Sequence, residues 1–234
     1  LPFYLSNMSL DFTNSFFESM SGITTTGSTV IENLEASPPG ILVWRALLQW
    51  LGGIGVIVMA IAIFPMLSVG GMQLFKTENF EAPEKVIPRA TSLTRGIFFI
   101  YSFLTLIWAG LLYFSGMRLF DAILHSMTTI ATGGFSTKSS SIGAFDSHII
   151  DWIIILGMVF GSLPFIHYLA FTRGSFNELI KDSQVRLFLG LLSLIIIIIF
   201  CLLLFNNTYE WKDALRYSAF NVTSILTGTG YGTA

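Results

Sequence analysis

The chain has 234 residues, of which 53% are hydrophobic and only 11% charged, with a net charge of −2; a soluble domain carries about a quarter charged residues. No basic patch is present to suggest nucleic acid, and the lone Cys201, inside an apolar run, excludes a disulfide framework or a thiolate metal site. Mean hydropathy is +0.72, and the 22 Phe residues suit lipid-facing and helix-packing surfaces. The first predicted element is a short, half-polar helix, Phe12–Ile23, which runs into Thr24-Thr25-Thr26-Gly27-Ser28. The apolar run Ile41–Val69 follows, long enough to span a bilayer, which takes about 20 residues. Beyond the linker Pro65–Arg95 come a second span, Gly96–Met117, and a second short helix, Leu119–Ile130, ending in Ala131-Thr132-Gly133-Gly134-Phe135. A third span, Ile149–Thr172, leads through the linker Arg173–Arg186 to a fourth, Leu187–Phe205. The third short helix, Trp211–Leu226, ends in Thr227-Gly228-Thr229-Gly230-Tyr231-Gly232.

The pattern is long helix, short re-entrant helix, Thr/Gly loop, long helix, repeated at about a hundred residues. Aligning the short helices brings Gly27, Gly134 and Gly230 into register. Filters of potassium channels are Thr/Gly loops whose backbone carbonyls replace an ion's water shell, and non-helical backbone at membrane depth is tolerated only where it lines such a cavity. Thr25, Thr26, Gly27, Thr132, Gly133, Gly134, Gly228, Thr229 and Gly230 are therefore the expected ion-binding residues. The dipole of each short helix would turn its partly negative end towards the ion. The competing reading is small-residue packing between helices; three registered copies, each after a short helix, favour the pore. The fold expected is all-α and integral to the membrane, with the repeats arranged pseudo-four-fold around one pore. The start at Leu1-Pro2-Phe3, without an initiator Met, and the end at Ala234 read as part of a longer polypeptide.

Charge sets the expected orientation. The linkers hold Lys76, Lys85, Arg89, Arg95, Arg173, Lys181 and Arg186, more basic than acidic residues, and belong in the cytoplasm. The opposite side carries Asp11, Glu18, Glu32, Glu35, Asp121, Asp146 and Glu210, a net-negative entrance that concentrates cations. Arg45 and Asp151, near helix ends, are expected to snorkel to headgroups, and Trp50, Trp108, Trp152 and Trp211 to anchor at the interface. Tyr231 is expected to pack behind its loop. His125, His148 and His167 lack metal-site spacing and read as structural or interfacial. In the third span Pro164 removes a backbone donor and breaks the helix; Gly157-Met158-Val159-Phe160-Gly161 is also a small-xxx-small packing motif.

Gln49-Trp50-Leu51-Gly52-Gly53-Ile54-Gly55, Gly70-Gly71-Met72-Gln73-Leu74-Phe75, Thr132-Gly133-Gly134-Phe135-Ser136-Thr137 and the third Thr/Gly stretch resemble the Trk/Ktr/HKT superfamily, and within it the membrane subunits of bacterial Trk potassium uptake systems. The resemblance covers essentially the whole chain. It implies four helix–pore helix–helix repeats per subunit, of which residues 1–75 are repeat two, 76–186 repeat three and 187–234 the first part of repeat four. It further implies K+ as the transported ion with no organic cofactor, a homodimer in the bacterial inner membrane, and a cytosolic nucleotide-binding regulatory partner of the TrkA type. One glycine per repeat at the filter register goes with potassium selectivity in this family. By the same resemblance Phe160, Gly161, Ser162, Leu163 and Pro164 fall where an intramembrane gate loop lies beneath the filter.

Two other functions compete with a pore. A membrane enzyme needs paired acids, a Ser–His pair or a metal cluster within the spans, and the apolar runs supply none. A sodium- or cation-coupled secondary transporter also uses broken helices, but same-direction repeats with filter loops favour a pore.

Overall fold

The computed structural model describes residues 2–6, 8, 10–67, 83–172, 174 and 178–233. The motif Gly70–Phe75 and the linker residues Lys76 and Arg173 lie outside the described residues. The chain folds into α1 (Pro2–Leu5), α2 (Phe12–Ile23), α3 (Pro39–Leu67), α4 (Pro83–Phe114), α5 (Leu119–Ile130), α6 (His148–Ser162), α7 (Phe165–Thr172), α8 (Glu178–Lys181), α9 (Ser183–Phe205) and α10 (Trp211–Leu226), with a 3₁₀ turn at Ser141–Phe145. No strand occurs among the described residues.

Local chemistry sets several ends. Asp11 caps α2 by accepting from the Asn14 amide at 2.7 Å. Asp182 caps α9 by accepting from the amides of Gln184 and Val185. The apolar helices Leu93–Phe114 and Ser183–Phe205 are long enough to cross a membrane, and α6 with α7 forms a pair bent by 88°. α9 buries only Val185 and Leu192 and exposes apolar residues on its other faces, as a lipid-facing helix does. The three short helices, α2, α5 and α10, occupy the ranges expected from the sequence.

Three apolar clusters hold these elements together. Ile31, Leu34, Leu42, Ala46 and Leu124 join α3 and α5 to the loop after the first Thr/Gly stretch. Ile97, Tyr101, Trp108, Ile130, Ala131 and Phe165 seat α4 against the end of α5 and the start of α7. Leu112, Ile150, Ile154, Met158, Phe220 and Tyr231 join α4 and α6 to α10 and its loop. Trp108 is thus no interface anchor: it is buried, and its Nε1 donates to the Ile153 carbonyl at 2.9 Å. Trp152 and Trp211 are exposed.

The helix–helix contacts repeat. Gly52 of α3 lies against the Ile23 carbonyl at the end of α2, where a Cβ would collide with it. Gly161 of α6 takes the same place against the Ile130 carbonyl at the end of α5, with a Cβ position 2.7 Å from that oxygen. One turn earlier the sizes are exchanged: Leu48 fills the space beside Gly22, whereas Thr129 fills the space beside Gly157.

Candidate ion pathway: three converging loops

Each short helix ends in a loop with the same backbone handedness. Thr25 and Gly27 have φ of 54° and 82°, Thr132 and Gly134 have 48° and 78°, and Gly228 and Gly230 have 73° and 83°. The residues between them, Thr26, Gly133 and Thr229, are not left-handed. Alternating the sign of φ rotates successive peptide planes so that their carbonyls leave the chain on one side, the backbone form that a carbonyl-lined filter requires. Glycine adopts these angles freely. The β-branched Thr25 and Thr132 do not, at a cost of about 1–3 kcal/mol each. Amide bonds back to the helix ends hold them: Thr26 N to Ser21 O at 2.9 Å, and Gly133 N to Thr128 O at 2.8 Å.

The loops meet one another. A Cβ on Gly27 would collide with the Gly133 carbonyl oxygen, and one on Gly134 with the Thr229 carbonyl oxygen. Gly27 and Gly134 are therefore where adjacent loops touch, backbone against backbone, whereas a Cβ on Gly230 would meet nothing within 4 Å. No described residue donates a hydrogen bond to the carbonyls of Thr25, Thr26, Gly27, Thr132, Gly134, Gly228, Thr229 or Gly230. A row of backbone acceptors without protein donors is open to a cation or water. Gly133 differs, because its carbonyl accepts from Gln49 Nε2 at 2.5 Å.

The residues after the second and third register glycines reach towards the preceding short helix. Phe135 packs on Gly22 of α2, and Tyr231 is buried with its hydroxyl 2.5 Å from Thr128 Oγ1 of α5. The supporting place expected for Tyr231 is the one it occupies. Ser21 Oγ donates to Ser28 O at 2.6 Å, and Ser224 Oγ to Tyr231 O at 2.7 Å, tying the first and third loops to their own helices.

Corresponding positions on α2 and α5 hold the segments that follow the first two Thr/Gly loops. Glu18 accepts from Thr29 Oγ1 at 2.9 Å and from the Val30 amide at 3.0 Å. His125 contacts Ser136 Oγ at 2.9 Å through Nε2, and Asp121 O at 2.8 Å through Nδ1. A carbonyl only accepts, so Nδ1 carries the imidazole proton and Nε2 accepts a hydrogen bond from the serine hydroxyl. The role of His125 is to hold its own loop. The alignment of the short helices was the available signal for this pair, because Glu18 and His125 share a register position.

Two charges expected to snorkel are instead buried. Arg45 is 1% exposed, its Nε 2.7 Å from Glu18 Oε1, its Nη1 2.9 Å from Ser136 O and its guanidinium 4.0 Å from the centre of the Phe135 ring. Asp151 is buried 3.2 Å from Arg216 Nη1 of α10, and Arg216 also contacts Asp213 and the Tyr217 hydroxyl. Both stem ends meet an opposite charge inside the protein, so neither needs the headgroups. Glu18 and Asp121 also leave the expected negative entrance: Arg45 neutralises the first, and the second is buried and accepts from Thr137 Oγ1 at 2.6 Å. Asp11, Glu32, Glu35, Asp146 and Glu210 remain exposed.

The break in the third span is narrower than expected. Phe160, Gly161 and Ser162 are the last residues of α6, and only Leu163 and Pro164 are non-helical. Pro164 forces Leu163 into extended backbone, φ −76° and ψ 148°, and so ends the helix at Ser162. The Tyr168 hydroxyl donates to the Phe160 carbonyl at 2.8 Å, closing the elbow between α6 and α7. Gly161 sets that elbow directly beneath the end of α5 and its loop.

A family model described as TrkH, cation transport protein, matches residues 1–230. The chain is 43% identical over 99% of its length to the Trk system potassium uptake protein TrkI of Halomonas elongata, covering 47% of that protein. It is 40% identical over its whole length to the Trk system potassium uptake protein TrkH of Vibrio parahaemolyticus, covering 50% of it. The crystal structure of the potassium transporter TrkH from that organism superimposes with a TM-score of 0.87 at 38% identity, over 97% of this chain and 47% of the other. The chain thus spans about half the length of the curated relatives it matches. With its three registered loops and this match along nearly every residue, the chain belongs to the TrkH cation transport protein family.

Proposed function

We propose that the chain is part of the pore-forming subunit of a bacterial Trk-type potassium uptake system in the inner membrane. Residues 1–75 supply repeat two, 76–186 repeat three and 187–234 the start of repeat four, set pseudo-four-fold around one pathway. Dehydrated K+ passes the carbonyls of Thr25, Thr26, Gly27, Thr132, Gly133, Gly134, Gly228, Thr229 and Gly230. It needs several oxygens at once, and a low-dielectric site strengthens each contact. The observation that carries this reading is the shared alternation of φ in three touching loops, whose carbonyls other than that of Gly133 receive no hydrogen bond from a described residue. The elbow at Leu163–Pro164 beneath the third loop serves as the gate, with Phe160, Gly161 and Ser162 as its inner arm. The relatives' names support an uptake system; to it we add a second copy of the subunit and a cytosolic nucleotide-binding regulatory partner. The work is ion transport and not catalysis of a covalent step.

Growth tests the reading. The complete reading frame that contains this chain is expressed with its regulatory partner in a bacterium stripped of potassium uptake, at low potassium. Wild type is expected to restore growth and an equally expressed Gly134→Asp to fail, since φ of 78° and the adjacent Thr229 carbonyl leave no room for a side chain. Growth of the variant equal to wild type overturns the filter assignment. Failure of well-expressed wild type overturns potassium transport.

A further inference from the structure

The three loops share one backbone but not one internal brace. In the first, Thr24 Oγ1 bonds Thr26 Oγ1 at 2.8 Å and donates to Met20 O at 2.7 Å. In the third, Thr227 Oγ1 bonds Thr229 Oγ1 at 2.7 Å and donates to Thr223 O at 2.8 Å. Each hydroxyl pair ties the filter backbone to its own short helix. The second loop has Ala131 and Gly133 at these positions and no hydroxyl to pair.

Gln49 of α3 stands where the missing side chains would be. It is 0% exposed. Its Nε2 donates to Gly133 O at 2.5 Å and its Oε1 accepts from Phe135 N at 3.0 Å, so one carboxamide spans the register residue Gly134. A Cβ on Gly133 would collide with that carboxamide. The amide orientation is forced, because the carbonyl can only accept and the backbone N–H only donate. Arg45, one turn earlier on α3, holds Ser136 O just beyond the clamp.

We infer that Gln49 is a positioning residue for ion selection: it replaces the absent threonine pair and sets the carbonyl spacing of the second loop from the helix of the preceding repeat. This rests on the pore reading above. Selectivity at Gly133–Gly134 is then decided by a side chain outside the filter, and the two repeats are coupled at that point.

The test measures K+ and Na+ flux of the complete transporter with its regulatory partner in proteoliposomes. Gln49→Met fills similar space and makes neither hydrogen bond. Gly133→Ala displaces the carboxamide from the other side, on backbone that is not left-handed. Both are expected to lower the K+/Na+ flux ratio by about tenfold, the scale of one lost hydrogen bond. Misfolding removes active molecules and lowers both fluxes together, so the ratio reports geometry. An unchanged ratio in either variant overturns the inference while leaving the pore intact, and so does a variant that melts like wild type but passes neither ion. Wild type that passes no K+ overturns the pore reading instead.

Discussion

Arg45→Met removes the guanidinium that three partners converge on and leaves Glu18, 0% exposed, without its counter-charge. Breaking one side of a buried ion pair costs about 3–5 kcal/mol. Glu18 keeps its bonds from Thr29 and Val30, so the low end applies, about 3 kcal/mol. The chain spans about half the length of its relatives, and the shift per kcal/mol falls as size grows, so at about 1–2 °C per kcal/mol the complete transporter loses roughly 3–6 °C in melting temperature. The assay is thermal unfolding of the purified transporter in detergent, read as the fraction still monodisperse after heating. The double variant Glu18→Gln/Arg45→Met removes both charges and is expected to recover more than half of the loss, because no buried charge is then left unpaired. Equal falls in the single and double variants would refute the electrostatic account and place the stabilisation in the contacts of Arg45 with Ser136 and Phe135.

Gly52→Ala, whose Cβ meets the Ile23 carbonyl, is expected to lose about 1–3 kcal/mol by overpacking, whereas Gly55→Ala in the same motif, with nothing within 4 Å, leaves the melting temperature unchanged. Tyr168→Phe deletes the hydroxyl that closes the elbow onto Phe160 O; if the elbow gates, proteoliposome flux without the regulatory partner rises about two- to tenfold, the scale of one neutral hydrogen bond. Glu35, whose carboxyl is held below the usual range by the hydroxyl and amide of Ser139, ties the segment after the first Thr/Gly loop to the segment after the second. Its lowered folded-state value means that the contact's full contribution is present above the ordinary glutamate range and is lost as pH falls through the folded value. Melting curves between pH 3 and 7 are expected to show a shallower acid fall for Glu35→Gln, and an identical pH profile would contradict this.

The short helices, the register glycines and the interruption at Pro164 were legible in the chain because each depends on neighbours within about one turn. An amphipathic dozen residues followed by Thr/Gly marks a helix end, and a proline removes a donor and constrains the residue before it wherever it stands. Gly27, Gly134 and Gly230 align by counting, and their φ values of 82°, 78° and 83° agree. The left-handed state of Thr25 and Thr132 was not legible, since a β-branched residue disfavours it and only the surrounding amide bonds impose it. Arg45 and Asp151 looked like headgroup residues because their counter-charges are remote in sequence: Glu18 lies on another helix, and Arg216 on α10. Trp108 fails as an anchor for the same reason, its acceptor being the Ile153 carbonyl of α6.

What the sequence determined by itself was therefore the class and rhythm of the protein: apolar spans, short helices, and three loops able to line an ion path. Only the tertiary structure decided how the loops touch, which charges are buried, and that Gln49 of α3 holds the backbone of the second Thr/Gly loop. Backbone preferences act over a few residues and are written where they act, whereas pairing across helices depends on which faces the packed bundle brings together.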